Sequence, residues 1–281
     1  MPYIILIVYL AIAISLHLLT GVLPVSFFAF PLNLILAVLW LGSVISLWQY
    51  RRKSPFVRFM LSRGAALWAI ILILVFSLAV GISGQRSLVP TWPFAAVMLY
   101  FQTVLAFIIL RGWRRPTATG ARLGTVRWRF LLNHTGLLLA VSSAFWGAPD
   151  SETLRLQALR GTAVREACTM DGTSFWLPYE IVLNEFSVSH YENGTPSMYE
   201  AEVTVDGETV LLRVNEPYSK AFGEDIYLSG YDQTDSGRID RCVLQIVREP
   251  WKYPALAGIL MMLAGALLLF AGGPHKNNED D

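Results

Sequence analysis

Four histidines and two cysteines are the residues of this 281-residue chain whose types could support metal or redox chemistry. His17 and His134 both fall inside long apolar runs. A histidine in hydrocarbon is costly unless it is partnered, which makes each a functional candidate by default. Measured from the inner end of its run, His17 lies about 20 Å deep, some 14 residues at 1.5 Å each, while His134 lies about 6 Å deep. Two imidazoles at such different depths do not bracket one iron, so a bis-histidine haem within the chain is disfavoured. The bland alternative for His134 is an interhelical hydrogen bond, with Asn133 as its neighbour. His190 reads as a strand surface residue, and His275 lies in the terminal tail.

Cys168 and Cys242 do not form a C-x-x-C pair. In an oxidising compartment the simpler expectation is a structural disulfide closing a loop of about 75 residues. The sharper one is thiol exchange with a substrate, although redox motifs usually keep their cysteines close. The sequence contains no nucleophile triad, ligand-spaced metal cluster, phosphate-cradling glycine loop or zincin motif, which argues against self-contained catalysis.

The elements that position these residues are marked by charge. Residues 1–149 carry 12 of the 22 basic residues and no Asp or Glu, whereas 18 of the 21 acidic residues lie between Asp150 and Glu249. Six runs approach the roughly 20 residues that a hydrocarbon core requires: Tyr3 to Leu23, Leu32 to Trp48, Gly64 to Ser83, Trp92 to Leu110, Phe130 to Gly147 and Tyr253 to Ala271. The first is too long and lacks the basic start of a removable signal peptide. Arg51 to Arg63 and Arg111 to Arg129 fill two connections with basic residues, while the alternate connections hold only Arg86. Retention of Lys and Arg on the inner side therefore predicts cytoplasmic termini and an extracytoplasmic acidic segment. Trp48, Trp92, Trp113, Trp128, Trp146 and Trp251 are expected as interface anchors. The basic loops lack interleaved aromatics, so they point to anionic lipid of the bilayer and not to nucleic acid. No span carries an ionisable residue away from its ends except histidine, which weakens a transporter reading.

From Trp146 to Trp251 the period becomes two. Tyr199 to Val205, then Asp206 and Gly207, then Glu208 to Val214 spell a hairpin with a type I′ turn. Ile181 to Tyr191, Ile226 to Tyr231 and Arg241 to Val247 read as further strands, predicting an antiparallel sandwich or open barrel. Glu152 to Gly161 fits a strand or a short interfacial helix equally well. Asn193, Gly194 and Thr195 read as a turn, and the acidic tail from residue 274 as a solvated end. The expected organisation is five transmembrane helices over 1–147, an extracytoplasmic β domain over 148–251, a sixth helix over 252–273 and a cytoplasmic tail over 274–281. The fold class is a polytopic α-helical membrane protein with six transmembrane helices and an antiparallel β-rich domain between spans five and six.

F-L-L-N-H-T-G-L-L-L-A at Phe130 to Ala140, with F-W-G-A-P-D at Phe145 to Asp150, resembles the last span before the outer domain of ResB-type proteins of system II cytochrome c biogenesis. F-S-V-S-H-Y-E-N-G-T-P at Phe186 to Pro196, V-N-E-P-Y at Val214 to Tyr218 and F-G-E-D-I-Y-L-S-G-Y-D at Phe222 to Asp232 are similar to the family's outer-domain pattern. Pro250 ahead of a span with Gly258 and Gly265 is similar to its last helix. The resemblance covers Phe130 to Phe270. It implies a bacterial inner-membrane subunit that works with a CcsA/ResC-like partner to bring haem to apocytochrome c. It also implies that His134 ligates the haem iron while the partner supplies the second axial ligand, with His17 the weaker candidate. The sequence departs from the family in having five spans ahead of the domain instead of three, and it lacks the partner's tryptophan-rich haem motif. Two rival readings remain from the residues alone. One is a membrane-anchored structural or sensing protein with a protein-binding outer domain and no haem site; the other is an electron-transfer subunit with its own haem b.

Overall fold

Long apolar runs become helices because a chain in hydrocarbon must satisfy its own N–H and C=O groups. The computed structural model describes residues 2–84, 86–113, 125–233 and 239–271. These fall into two compact units, one from Met1–Pro149 with Lys252–Asp281 and one from Asp150–Trp251. The helical unit contains α1 (Pro2–Thr20), α2 (Leu32–Tyr50), α3 (Pro55–Met60), α4 (Arg63–Ser83), α5 (Trp92–Trp113), α6 (Thr125–Gly147) and α7 (Lys252–Ala271). All except α3 are long and apolar enough to cross a membrane. α1 stops at Gly21, whose φ of 77° is open to glycine but strained for other residues.

The basic loop expected at Arg51 to Arg63 contains α3. Ser54 caps it by accepting from the Val57 amide at 3.2 Å, Pro55 sits in its first turn, and Val57, Phe59 and Met60 are buried. A helix of six residues is too short for apolar periodicity to reveal, so only the Ser-Pro start signalled it. Trp48 also differs from expectation. It is 2% exposed in the core of the helical unit, with the Arg52 guanidinium 4.5 Å from its ring centroid, and is not presented outward as an anchor.

α5 is the central helix, packing on α1, α2, α3, α4 and α6. It buries Tyr100, Gln102, Val104 and Phe107, among others. α6 and α7 make the most intimate pair, because small residues let their backbones meet. A Cβ on Gly258 would lie 2.6 Å from the Gly136 carbonyl oxygen and 2.7 Å from the Ala140 nitrogen. A Cβ on Gly265 would lie 2.5 Å from Asn133 Nδ2. This is the close approach by which helices associate in lipid, where burial of apolar surface gives no driving force.

The second unit is a single antiparallel sheet of β1 (Glu152–Leu159), β2 (Val164–Thr169), β3 (Ser174–His190), β4 (Pro196–Val205), β5 (Glu208–Arg213), β6 (Tyr218–Ala221), β7 (Glu224–Gln233) and β8 (Ile239–Arg248). Its order is β5-β4-β3-β2-β1-β8-β7-β6. The ambiguous segment at Glu152 is thus a strand, burying Leu154, Leu156 and Ala158 at alternate positions. The Asp-Gly hairpin is present, with Asp206 at φ 53° and Gly207 at φ 84°, as a type I′ turn requires. The Asn193 turn is present too, its Oδ1 accepting from the Thr195 amide at 3.0 Å. The sheet curls around one apolar core, and side chains meet across it. The Tyr231 ring on β7 lies 5.2 Å from both Phe186 on β3 and Tyr199 on β4. Trp251 Nε1 donates to Asp150 Oδ2 at 2.6 Å, tying together the two ends of the unit. The tail expected as a solvated end, the basic residues Arg114, Arg115 and Arg122, and the ends of spans beyond residue 271 lie outside the described residues.

Candidate functional site

His134 sits on α6, half-buried, with its ring stacked on Phe130 at 4.1 Å between centroids. Its Nδ1 is 2.8 Å from the Phe130 carbonyl oxygen. A carbonyl only accepts, so Nδ1 is the donor, and in a neutral imidazole Nε2 then carries the lone pair. A backbone carbonyl on one ring nitrogen, fixing the tautomer and ring orientation, is the usual support behind a metal-ligating histidine. Asn133, the neighbour named in the interhelical alternative, donates from Nδ2 to the Arg129 carbonyl at 2.8 Å and packs against Gly265 of α7.

His17, half-buried near the end of α1, has Nδ1 2.9 Å from the Gly21 carbonyl oxygen, which gives it the same tautomer. The two histidines are not brought together. Phe130, one turn before His134, packs on Gly112 at the last turn of α5. His17 lies four residues before Gly21, and Leu23 bonds the Pro90 carbonyl just ahead of the first turn of α5. The imidazoles therefore occupy opposite ends of the helical unit, and no bis-histidine site forms between them.

The helical unit also holds buried polar side chains that sequence inspection missed. Gln102, fully buried on α5, accepts from Ser142 Oγ at 2.9 Å. Asn33 donates to the Trp146 carbonyl at 2.8 Å, and Trp40 Nε1 donates to Thr103 Oγ1 at 3.0 Å. Gln102 Nε2, Trp92 Nε1 and Trp146 Nε1 are buried without a protein acceptor. Gln102 is the only amide side chain inside the fourth apolar run, and that was the available signal.

The disulfide expected between Cys168 and Cys242 is not formed, and both thiols are free. Register gives the reason. Cys242 is opposite Ala158, on the core face, whereas Cys168 is opposite Arg155, on the exposed face of the same sheet. With β1 between their strands, the two are also separated by two strand spacings, about 10 Å, beyond the reach of a disulfide. Burial pushes the Cys242 thiol up to about 12, so it is an inert core residue.

The ionic cluster that ties the centre of the sheet unit is built on Arg248. Arg248 on β8 stands between Glu152 on β1 and Glu224 on β7, its register partners on either side. Nε donates to Glu224 at 2.5 Å and NH1 to Glu152 at 3.0 Å. Tyr179, reaching from β3, donates to the second Glu224 oxygen at 2.5 Å. Burial and this hydrogen bond push the Tyr179 phenol well above its ordinary value. The arrangement matches a structural clamp, because both Glu224 oxygens are engaged and Arg248 bridges two carboxylates. Among the described residues no group of three or more His, Cys, Asp or Glu could hold a metal ion.

Residues 114–244 match the model of the ResB-like family, just under half of the chain. The resemblance read from the N-H-T-G span and the outer-domain motifs holds. The matched stretch includes His134 but not His17. No curated protein matches the chain. Among solved structures, a cytochrome c haem lyase, CcmF, is similar at 14% identity and a TM-score of 0.38, over 85% of this chain and 45% of that one. This chain thus spans less than half the length of that protein.

Proposed function

We propose that the chain is the ResB-like subunit of a cytochrome c assembly complex in a bacterial inner membrane. In this reading both termini are cytoplasmic and the sheet unit is extracytoplasmic. The chain acts with a CcsA/ResC-like partner to bring haem to apocytochrome c. One observation carries the proposal: within the segment that matches the ResB-like family, His134 has Nδ1 committed to a backbone carbonyl and Nε2 left as a lone-pair donor. A neutral imidazole suits iron, so His134 would hold haem iron together with a ligand from the partner, and haem would supply the tetrapyrrole to be delivered. The chain's own contribution is orientation. The Phe130 carbonyl and ring fix the imidazole, and the glycine-lined α6–α7 contact fixes the helix that bears it.

The test is His134→Ala in the full chain, co-expressed with a CcsA-like partner and apocytochrome c. Haem co-purifying with the complex and holocytochrome c yield should both fall at least tenfold, with the protein still folded in the membrane. His17→Ala should have the smaller effect. Added imidazole should restore haem binding to His134→Ala, since it can refill a missing ligand but cannot repair a helix contact. Wild-type haem and cytochrome yield in both variants would replace this reading with that of a scaffold. The scaffold reading has its own observation in Trp176, Phe222 and Met170, which are 70%, 74% and 63% exposed on the sheet unit and available to another protein.

A further inference from the structure

A cavity of about 270 Å³ lies inside the helical unit, between α1, α2, α3 and α5. At the roughly 30 Å³ that one water occupies in liquid, it has room for about nine groups of methylene size. Its walls include Leu6, Phe56, Phe59 and Leu99. Four lining side chains have polar atoms, and each is already bonded within the protein. Tyr9 donates to the Ala96 carbonyl at 2.9 Å and Tyr100 to the Ala65 carbonyl at 3.0 Å. Trp40 donates to Thr103 Oγ1, whose hydroxyl donates to the Leu99 carbonyl at 2.6 Å. The cavity therefore has no free polar hydrogen to offer a ligand, and its apolar walls suit hydrocarbon.

The segment that supplies part of this wall is chemically different. α3 contributes Phe56, Phe59 and Met60 to the wall, and the segment bearing it carries Arg51, Arg52, Lys53, Arg58 and Arg63, all exposed. Residues 1–149 contain no carboxylate to neutralise them. We infer that this is a specific site for one anionic glycerophospholipid, with an acyl chain in the cavity and the headgroup phosphate on the basic segment around α3. Apolar walls with satisfied polar groups select the chain, and the exposed cations select the head. The site is built by the extra N-terminal spans together with α3 and α5, which gives those spans a role independent of haem. It does not depend on which side of the membrane the basic end faces.

The full chain should be extracted in a mild non-ionic detergent, delipidated, and offered phosphatidylglycerol, phosphatidylcholine or palmitate, with bound molecules counted by native mass spectrometry. One phosphatidylglycerol per chain should be retained in preference to phosphatidylcholine. Lys53→Gln with Arg58→Gln should weaken retention by about fivefold per cation removed. Leu99→Phe, which narrows the cavity without touching a cation, should reduce it. Ile5→Phe, on a different helix, gives the same reading should Leu99→Phe fail to fold. Equal retention of phosphatidylcholine, retention of palmitate in place of phospholipid, or undiminished phosphatidylglycerol in the folded cavity-narrowed variant would each overturn the inference.

Discussion

A single methyl group at Gly258 should separate the two helices that flank the sheet unit in sequence. A Cβ there would meet the Gly136 oxygen at 2.6 Å, the Ala140 nitrogen at 2.7 Å and the Ala140 Cα at 3.1 Å. All three are backbone atoms, so no side chain can swing aside. Restoring ordinary contact requires α6 and α7 to move apart by about 0.8 Å, and a radial gap of 0.5–1 Å forfeits a quarter to a half of each dispersion contact along the seam. Overpacking of this kind typically costs about 1–3 kcal/mol. Helix propensity works the other way, since alanine is favoured over glycine by about 0.8–1 kcal/mol in a helix. The control isolates that term: Gly42 and Gly81, on α2 and α4, have nothing within 4 Å of an added Cβ. Gly258→Ala should therefore lower the thermal midpoint of the full chain in detergent by several degrees relative to Gly81→Ala, at about 2–4 °C per kcal/mol for a protein of about this size. Gly136→Ala should behave as Gly258→Ala does, because its Cβ would lie 2.5 Å from the Gly258 oxygen. Midpoints for Gly258→Ala and Gly81→Ala that agree within error would refute the close-contact account.

Three other outcomes are expected. Reporter fusions after Arg115 should give a cytoplasmic signal and those after Gly207 an extracytoplasmic one, because 11 basic residues fill the two loops at one end. A cytoplasmic signal at Gly207 would reverse the orientation. With native protein at pH 8, a thiol reagent should label Cys168 and leave Cys242 unmodified until the sheet unfolds, since one thiol is exposed and the other is buried with its pKa raised to about 12. Equal labelling of both, or a mass consistent with a disulfide, would contradict the register. Tyr179→Phe should destabilise the sheet unit by about 1.5 kcal/mol, the low end for a hydrogen bond to a charged group, because Glu224 keeps Arg248 as a partner. The folded phenol titrates above its unfolded value of about 10. Its contribution is thus complete below pH 10 and is lost as pH rises through the higher folded value. The variant should accordingly lose stability less steeply than the parent above pH 10, and parallel curves would argue against the clamp.

Composition and period alone determined most of the architecture. Six apolar helices followed from the need to satisfy backbone groups in hydrocarbon, and charge partition separated them from the acidic segment. The Asp206-Gly207 hairpin was legible because its turn type demands positive φ at both residues, a local requirement that local sequence can express. The tautomer of His134 and the separation of His17 from it follow from helix geometry, since the bonded carbonyls lie only four residues away. Tertiary structure decided what depends on register and approach between distant segments. Cys168 and Cys242 fall on opposite faces because the strand periodicity of two, counted through β1, sends one inward and the other outward. Arg248 meets Glu152 and Glu224 only because β8 lies between β1 and β7, an order that residues separated by up to 96 positions cannot reveal by local pattern. α3 was too short to show a period, and Trp48 is buried in an apolar cluster that draws residues from α1, α3, α4 and α5. Gly258 is an ordinary small residue in sequence, and only the facing backbone of Gly136 and Ala140 makes the absence of its side chain a structural requirement.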